Sequence, residues 1–305
     1  MSTNDPSPFS NSVVNEPAIL SESAPIQQPV QTPNQTNQAW WGLFKAFLAW
    51  VLSVICLLIV PLILVVPYLV YLSMSGAGVD AAPDILMKDK TFIFLSILGV
   101  IPAHLLTLFA AWALQTNFGK IPFFQSLRMS WPPSISPWLA VVLCGGGALV
   151  LLGIGVLVTI FVGGGKTDLD MLVESSFQAR LATVALAVFT APLVEEIIYR
   201  GMLYPAIQRV LGLGGAVFIV TVLFAGVHVY QYRTNVGVII VITMLSLTLT
   251  LVRALTDRLL PSVVIHLIFN GIQALMLLLQ PFIEKPKVTP PPAVPALIEF
   301  IRHLI

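Results

Sequence analysis

Six long stretches without a charged residue constrain this chain more than any other feature of its sequence. They cover residues 46–73, 91–119, 129–165, 210–232, 234–252 and 259–283. Most are long enough to cross a bilayer as a helix, because a hydrocarbon core of roughly 30 Å needs about 20 helical residues. Charged residues make up 10% of the chain and hydrophobic residues 57%, whereas about 25% of the residues in a soluble domain are charged. The sequence therefore predicts an all-α fold, a polytopic transmembrane helical bundle with about seven to eight membrane helices.

The order of polar and apolar segments divides the chain into four parts. We expect a disordered polar N-terminal tail at 1–39, three transmembrane helices within 40–165, a helical core at 176–280, and a Pro-rich tail at 281–305 with a short interfacial helix. The tail at 1–39 contains six prolines and no Lys or Arg, a composition typical of disorder. The core is predicted to contain helices at 177–209, 213–231, 235–256 and 261–280.

Composition also limits the partners. The net charge is +1, and no basic stripe accompanies it, so nucleic-acid binding is excluded as a function class. The partners that remain are the lipid bilayer and molecules within or attached to it. We expect a multi-pass protein of the cell (plasma) membrane.

The stretch LVEEIIYRG at 193–201 places two adjacent acids inside an apolar helix. An ionisable group at membrane depth costs on the order of 3 kcal/mol, which makes it a functional hypothesis by default. Glu196 and Arg200 are four residues apart and can neutralise each other on one helix face. Glu195 points about 100° away from Glu196 and cannot share that arginine equally. Pro192 is expected to kink the helix just before both acids.

Two other predicted helices each carry a pair of residues that includes a histidine, with the same spacing of four residues. Phe224 and His228 lie one turn apart in FAGVH, and His266 and Asn270 lie one turn apart in HLIFN. Each histidine alone could be an ordinary hydrogen-bonded packing residue. Together with Glu195 they supply a base, proton donors and an amide that could stabilise an oxyanion.

The remaining histidines and the basic residues at span ends are predicted to be structural. His104 has no polar companion in its own segment, and His303 lies in the C-terminal tail. Basic side chains at helix ends can extend to the interface, which we expect of Arg233, Arg253 and Arg258.

With these residues assembled, the chain resembles the CPBP family of intramembrane proteases, also called the ABI or CAAX-protease family, which includes the Rce1-like type II CAAX prenyl endopeptidases. Its three motifs are present in order. EExxxR corresponds to Glu195, Glu196 and Arg200, FxxxH to Phe224 and His228, and HxxxN to His266 and Asn270.

The resemblance implies hydrolysis of peptide bonds in membrane-associated or prenylated protein substrates. Glu195, helped by His228, would activate a water molecule, while His266 and Asn270 would stabilise the oxyanion. Glu196, Arg200 and Phe224 would support them. No cofactor is favoured.

The sequence leaves open both the role of zinc and the class of function. Zinc held by Glu195, His228 and His266 is an alternative mechanism, because one Glu with two His can ligate zinc and leave a position open; Glu196 would then have to act as the base. The alternative functions are a non-catalytic membrane scaffold or bacteriocin-immunity-type protein with the same core, and a proton-coupled transporter, since buried Glu and His also form proton relays.

Overall fold

The computed structural model describes residues 33–75 and 89–283, and all regular structure within those ranges is helical. The helices are α1 (Pro33–Met74), α2 (Lys90–Leu98), α3 (Val100–Thr116), α4 (Phe123–Ser126), α5 (Pro137–Val162), α6 (Asp168–Ser175), α7 (Phe177–Ala185), α8 (Ala191–Glu195), α9 (Tyr204–Tyr232), α10 (Val236–Thr256) and α11 (Leu260–Ile283). Two π-helical turns, π1 (Leu186–Thr190) and π2 (Glu196–Leu203), join α7 to α8 and α8 to α9.

The chain is an integral, multi-pass membrane protein. Six helical runs within the described ranges are long and apolar enough to cross a membrane: Asn37–Met74, Lys90–Thr116, Pro137–Val162, Phe177–Tyr232, Val236–Thr256 and Leu260–Gln280. The run Phe177–Tyr232 contains 56 residues, but Gly212 interrupts it with φ 71° and ψ −177°. Its two legs correspond to the separate helices predicted at 177–209 and 213–231, so the count agrees with the expected bundle.

The first helix includes part of the predicted N-terminal tail. Residues 33–39, which the prediction assigned to the N-terminal tail, form the first turns of α1, and its first residue, Pro33, is at a position where a helix tolerates proline. The rest of the N-terminal tail lies outside the described residues. The interfacial helix predicted in the C-terminal tail also lies outside them.

The largest cluster of buried apolar side chains surrounds π2. It combines residues of α1, α3 and α9 with those of π2 itself, including Ala46, Ala111, Ile197, Leu203 and Val220. A second cluster joins α5, α10 and α11. The segment that carries the EExxxR motif is therefore enclosed by helices from both halves of the chain.

The turn π1 precedes Pro192 and changes the hydrogen bonding of the helix there. The Ala191 N–H donates to the carbonyl of Leu186, five residues back. In the same register the next donor would serve the carbonyl of Ala187, but Pro192 has no N–H. The side chain of Asn270 supplies the missing donor, with Nδ2 3.0 Å from the Ala187 oxygen. The kink expected at Pro192 thus takes the form of a π turn that is completed by α11.

The turn π2 repeats this arrangement with Pro205. The Tyr204 N–H donates to the carbonyl of Tyr199, so the carbonyl of Arg200 is the one that Pro205 cannot serve. Nε of Arg253 donates to that oxygen at 3.2 Å. Arg253 is 3% exposed, so the prediction that it extends to the interface is wrong. It is drawn inward because the π turn presents an unsatisfied buried carbonyl.

Candidate active site

Glu195 lies between two histidines at the end of α8. One carboxylate oxygen is 4.0 Å from Nε2 of His228, and the other is 3.6 Å from Nε2 of His266. The Glu195 side chain is 24% exposed and that of His228 is 21% exposed, whereas His266 is buried. The three residues come from α8, α9 and α11. Helix packing therefore brings together ionisable groups that are far apart in the sequence, and leaves one side of the cluster accessible.

Hydrogen bonds fix the orientation of both imidazole rings. Nδ1 of His228 donates to the carbonyl of Phe224 at 2.7 Å, and Nδ1 of His266 donates to Oε1 of Glu196 at 3.0 Å. Because each Nδ1 is occupied, each Nε2 is the nitrogen left for chemistry at Glu195. A neutral histidine held in this way can accept a proton at Nε2.

Glu196 and Arg200 form a fully buried ion pair. Both side chains are 0% exposed, and NH1 of Arg200 lies 3.0 Å from Oε1 of Glu196. The guanidinium also donates to the Ser246 carbonyl and hydroxyl at 3.0 and 2.8 Å and to the Thr250 hydroxyl at 3.3 Å. The pair consequently fixes π2 against α10. Since Glu196 also accepts from His266, it links the arginine to the histidine that faces Glu195.

Phe224 fills the space between the buried Arg200 and the partly exposed His228. The Arg200 guanidinium lies 4.5 Å from the centre of the Phe224 ring, a cation–π geometry. The ring centres of Phe224 and His228 are 4.8 Å apart, and Tyr199 meets the Phe224 ring edge-on at 5.0 Å. Phe224 thus excludes water from Arg200 while it supports the face of His228.

Asn270 lies one turn after His266 on α11 and contacts the site through the backbone of π1. Its Nδ2 donates to the Ala187 oxygen, which leaves a second amide N–H for another acceptor. The structure therefore places Asn270 against the turn that precedes Glu195. No direct hydrogen bond joins it to Glu195, His228 or His266 among the described residues.

His104 is a residue of this region that the sequence motifs missed. It lies on α3 and is 5% exposed, and its Nδ1 is 2.8 Å from the hydroxyl of Thr190 in π1. His104 has no polar companion in its own segment, as the sequence shows, but the structure gives it one that lies 86 residues away in the sequence. Only the packing of α3 against π1 reveals it.

The orientation of the histidines suits a metal, but their placement does not. Ring nitrogens that ligate zinc commonly have their other N–H bound to a carboxylate or a carbonyl, as in His266 and His228. Within the residues that the structure describes, however, no group of three His, Cys, Asp or Glu side chains is arranged to hold a metal ion. The alternative ligand set Glu195, His228 and His266 stays a prediction that metal analysis of the purified protein would test.

Comparison with known proteins identifies one segment of the chain. Residues 177–272 match the family model described as Type II CAAX prenyl endopeptidase Rce1-like. The matched segment contains all three motifs, and the match confirms the resemblance to the CPBP family that the motifs indicate. Searches among curated proteins and among solved structures found no match to the chain.

Proposed function

We propose that this chain, whose residues 177–272 carry an Rce1-like type II CAAX prenyl endopeptidase domain, is an endopeptidase that cleaves its substrates within the membrane. The observation that carries the proposal is the position of Glu195. It is a partly exposed carboxylate facing two imidazole Nε2 atoms, whereas Glu196 beside it is fully buried and paired with Arg200. If this segment only stabilised the fold, the ion pair of Glu196 with Arg200 would be sufficient and Glu195 would not be required.

The spacing at Glu195 suits a water-activating group. The separations of 3.6 and 4.0 Å between its oxygens and the two Nε2 atoms exceed a direct hydrogen bond and favour groups that share a water molecule. In the proposed reaction Glu195 takes a proton from that water, and the water oxygen forms a bond to the carbonyl carbon of the substrate. When the tetrahedral intermediate collapses, the C–N bond breaks and the proton passes from Glu195 to the leaving amine.

The neighbouring residues take different parts in this reaction. His228, partly exposed with Nε2 free of other bonds, helps Glu195 to orient and deprotonate the water. The imidazolium form of His266, which carries a proton on Nε2 as well as the Nδ1 proton donated to Glu196, and the second N–H of Asn270 stabilise the negative charge that develops on the carbonyl oxygen. Glu196, Arg200 and Phe224 do not touch the substrate; they hold His266 and the π2 turn in place.

The proposed substrates are membrane-associated proteins or prenylated proteins of the CAAX type. An open site among apolar helices accepts a substrate that is already in the bilayer, whether as a transmembrane segment or through a lipid anchor. We propose that the protein acts in the cell (plasma) membrane, which fractionation of cell membranes would test.

The proposal is tested by comparing peptide termini in membranes that contain the wild-type protein or the Glu195→Gln variant. We expect at least one terminus that only the wild-type protein generates. Glu174→Gln is a matched control, because Glu174 is an exposed acid paired with Lys166 outside the site, and this variant should generate the same termini as the wild type.

The non-catalytic alternatives predict other outcomes. If no terminus depends on Glu195, and if partner binding or protection against a bacteriocin survives Glu195→Gln combined with His228→Gln, the protein is a scaffold or an immunity protein. Substrate-dependent proton flux in proteoliposomes would instead indicate a transporter.

A further inference from the structure

His104 is unusual among the described residues that precede residue 165. Among the described Asp, Glu, Lys, Arg and His side chains there, it is the one buried in the interior of a spanning helix, whereas Lys45 and Lys90 lie near the starts of α1 and α2. Ionisable groups at membrane depth are rare because they are costly, and they usually have a function. His104 also lies outside the segment 177–272 that matches the protease family.

The contact that His104 makes is directed at the catalytic segment. The Thr190 hydroxyl donates to the carbonyl of Leu186 at 3.4 Å, so its oxygen can accept from Nδ1 of His104 at 2.8 Å. Thr190 is the last residue of π1, and Glu195 is the last residue of α8, which contains five residues. A helix of five residues spans about 7.5 Å. Because α8 is this short, a displacement of Thr190 would also displace Glu195.

The turn π1 is held by side chains from other helices, because Pro192 leaves its own backbone hydrogen bonding incomplete. Pro192 cannot donate to the carbonyl of Ala187, and Asn270 of α11 provides the donor in its place. His104 of α3 holds the same turn at Thr190. Two helices from different halves of the chain therefore hold π1, and its orientation determines where α8 directs Glu195.

We infer that His104 is a positioning residue for Glu195, which acts through its hydrogen bond to Thr190 and the turn π1. The inference rests on the proposed function in assigning catalysis to Glu195. It extends the active site to the N-terminal spans, because α3 then sets the geometry of an acid that lies within the Rce1-like domain.

The experiment is a double-mutant cycle on the purified full-length protein in liposomes. His104→Leu and Thr190→Val remove the two partners of the hydrogen bond with little change in side-chain volume. We expect each to lower kcat by about 10- to 100-fold with little change in KM, since small displacements of a reacting group have effects of this size. The double variant should be no slower than the slower single variant, because both changes remove one interaction.

Conservative variants separate positioning from folding. His104→Asn places an amide N–H near the position of Nδ1, and Thr190→Ser keeps the hydroxyl, so both should recover most of kcat. Thr107→Val is a matched control on the same helix, since that buried hydroxyl donates to Ala103 within α3, and kcat should not change. Wild-type kcat in His104→Leu, multiplicative losses in the double variant, or no recovery with either conservative variant would overturn the inference.

A second measurement keeps this inference distinct from the proposed function. If the wild-type protein and Glu195→Gln generate the same peptide termini, the proposed function fails, but hydrogen–deuterium exchange still tests the contact. We expect faster amide exchange at 186–195 in His104→Leu than in the wild type, with exchange in α10 unchanged. Equal exchange at 186–195 would show that His104 does not hold π1.

Discussion

Replacing Arg200 with methionine should destabilise the fold far more than replacing an exposed arginine. The Arg200 side chain is 0% exposed and lies 3.0 Å from Glu196. Methionine preserves much of its length but leaves Glu196 buried without its cation. Removing one partner of a buried pair typically costs about 3–5 kcal/mol, mostly from the uncompensated charge that is left behind.

A second substitution tests whether charge is the cause. Glu196→Gln removes the uncompensated carboxylate and keeps an oxygen that can accept from His266. We therefore expect the double variant Arg200→Met/Glu196→Gln to recover at least half of the free energy of unfolding that Arg200→Met loses. A coupling of this kind is the difference between the double variant and the sum of the single variants.

The assay is reversible unfolding of the purified protein in mixed micelles, followed by the loss of helical circular dichroism as denaturing detergent is added. Arg233→Met is the matched control, because Arg233 forms a partly exposed pair with Asp168 at 3.2 Å, and such pairs contribute about 0–1 kcal/mol. A cost of Arg200→Met no larger than that of Arg233→Met, or simple additivity of the changes at Arg200 and Glu196, would show that the uncompensated charge of Glu196 is not the cause.

Three further predictions concern other parts of the molecule. Gly99→Ala should lower the melting temperature, because an added Cβ would lie 2.5 Å from Cα of Pro61, whereas Gly145→Ala should not, since nothing lies within 4 Å of its added Cβ. Burial raises the pKa of Asp89, but hydrogen bonds from Phe92 N, the Tyr68 hydroxyl and Thr91 N outweigh it and leave that pKa below its ordinary value. Asp89→Asn should therefore reduce the stability of the protein by its full amount above about pH 4, the ordinary aspartate pKa. The difference in stability between the wild type and Asp89→Asn should disappear as the pH falls through the lower pKa of folded Asp89. Melting curves at several pH values would show this. Cleavage should persist after exhaustive chelation and dialysis, measured with metal analysis of the same sample; activity that is lost and then restored by zinc would favour the metal-dependent alternative.

Much of the fold and of the candidate site could be predicted from the sequence because both depend on local patterns. Uncharged stretches of about 20 residues specify spanning helices, and helical spacing separates Glu195 from the Glu196–Arg200 pair. The i, i+4 relation likewise places His228 one turn from Phe224. These inferences need only the period of a helix.

What could not be predicted depends on contacts between distant segments. In the two π turns, side-chain donors from Asn270 and Arg253 replace the N–H groups that Pro192 and Pro205 lack. No local sequence pattern pairs these residues. The contact of His104 with Thr190 could not be predicted for the same reason, since the two residues lie on different helical segments.

The most direct test of the catalytic role of Glu195 is the cleavage rate of a defined membrane substrate by purified Glu195→Gln in liposomes. The substrate is one whose terminus depends on the wild-type protein, and helical circular dichroism verifies that the variant is folded. The role of Glu195 as the general base predicts that the rate falls by at least about 100-fold when this base is removed. A folded Glu195→Gln variant that cleaves at a rate close to that of the wild type would contradict it.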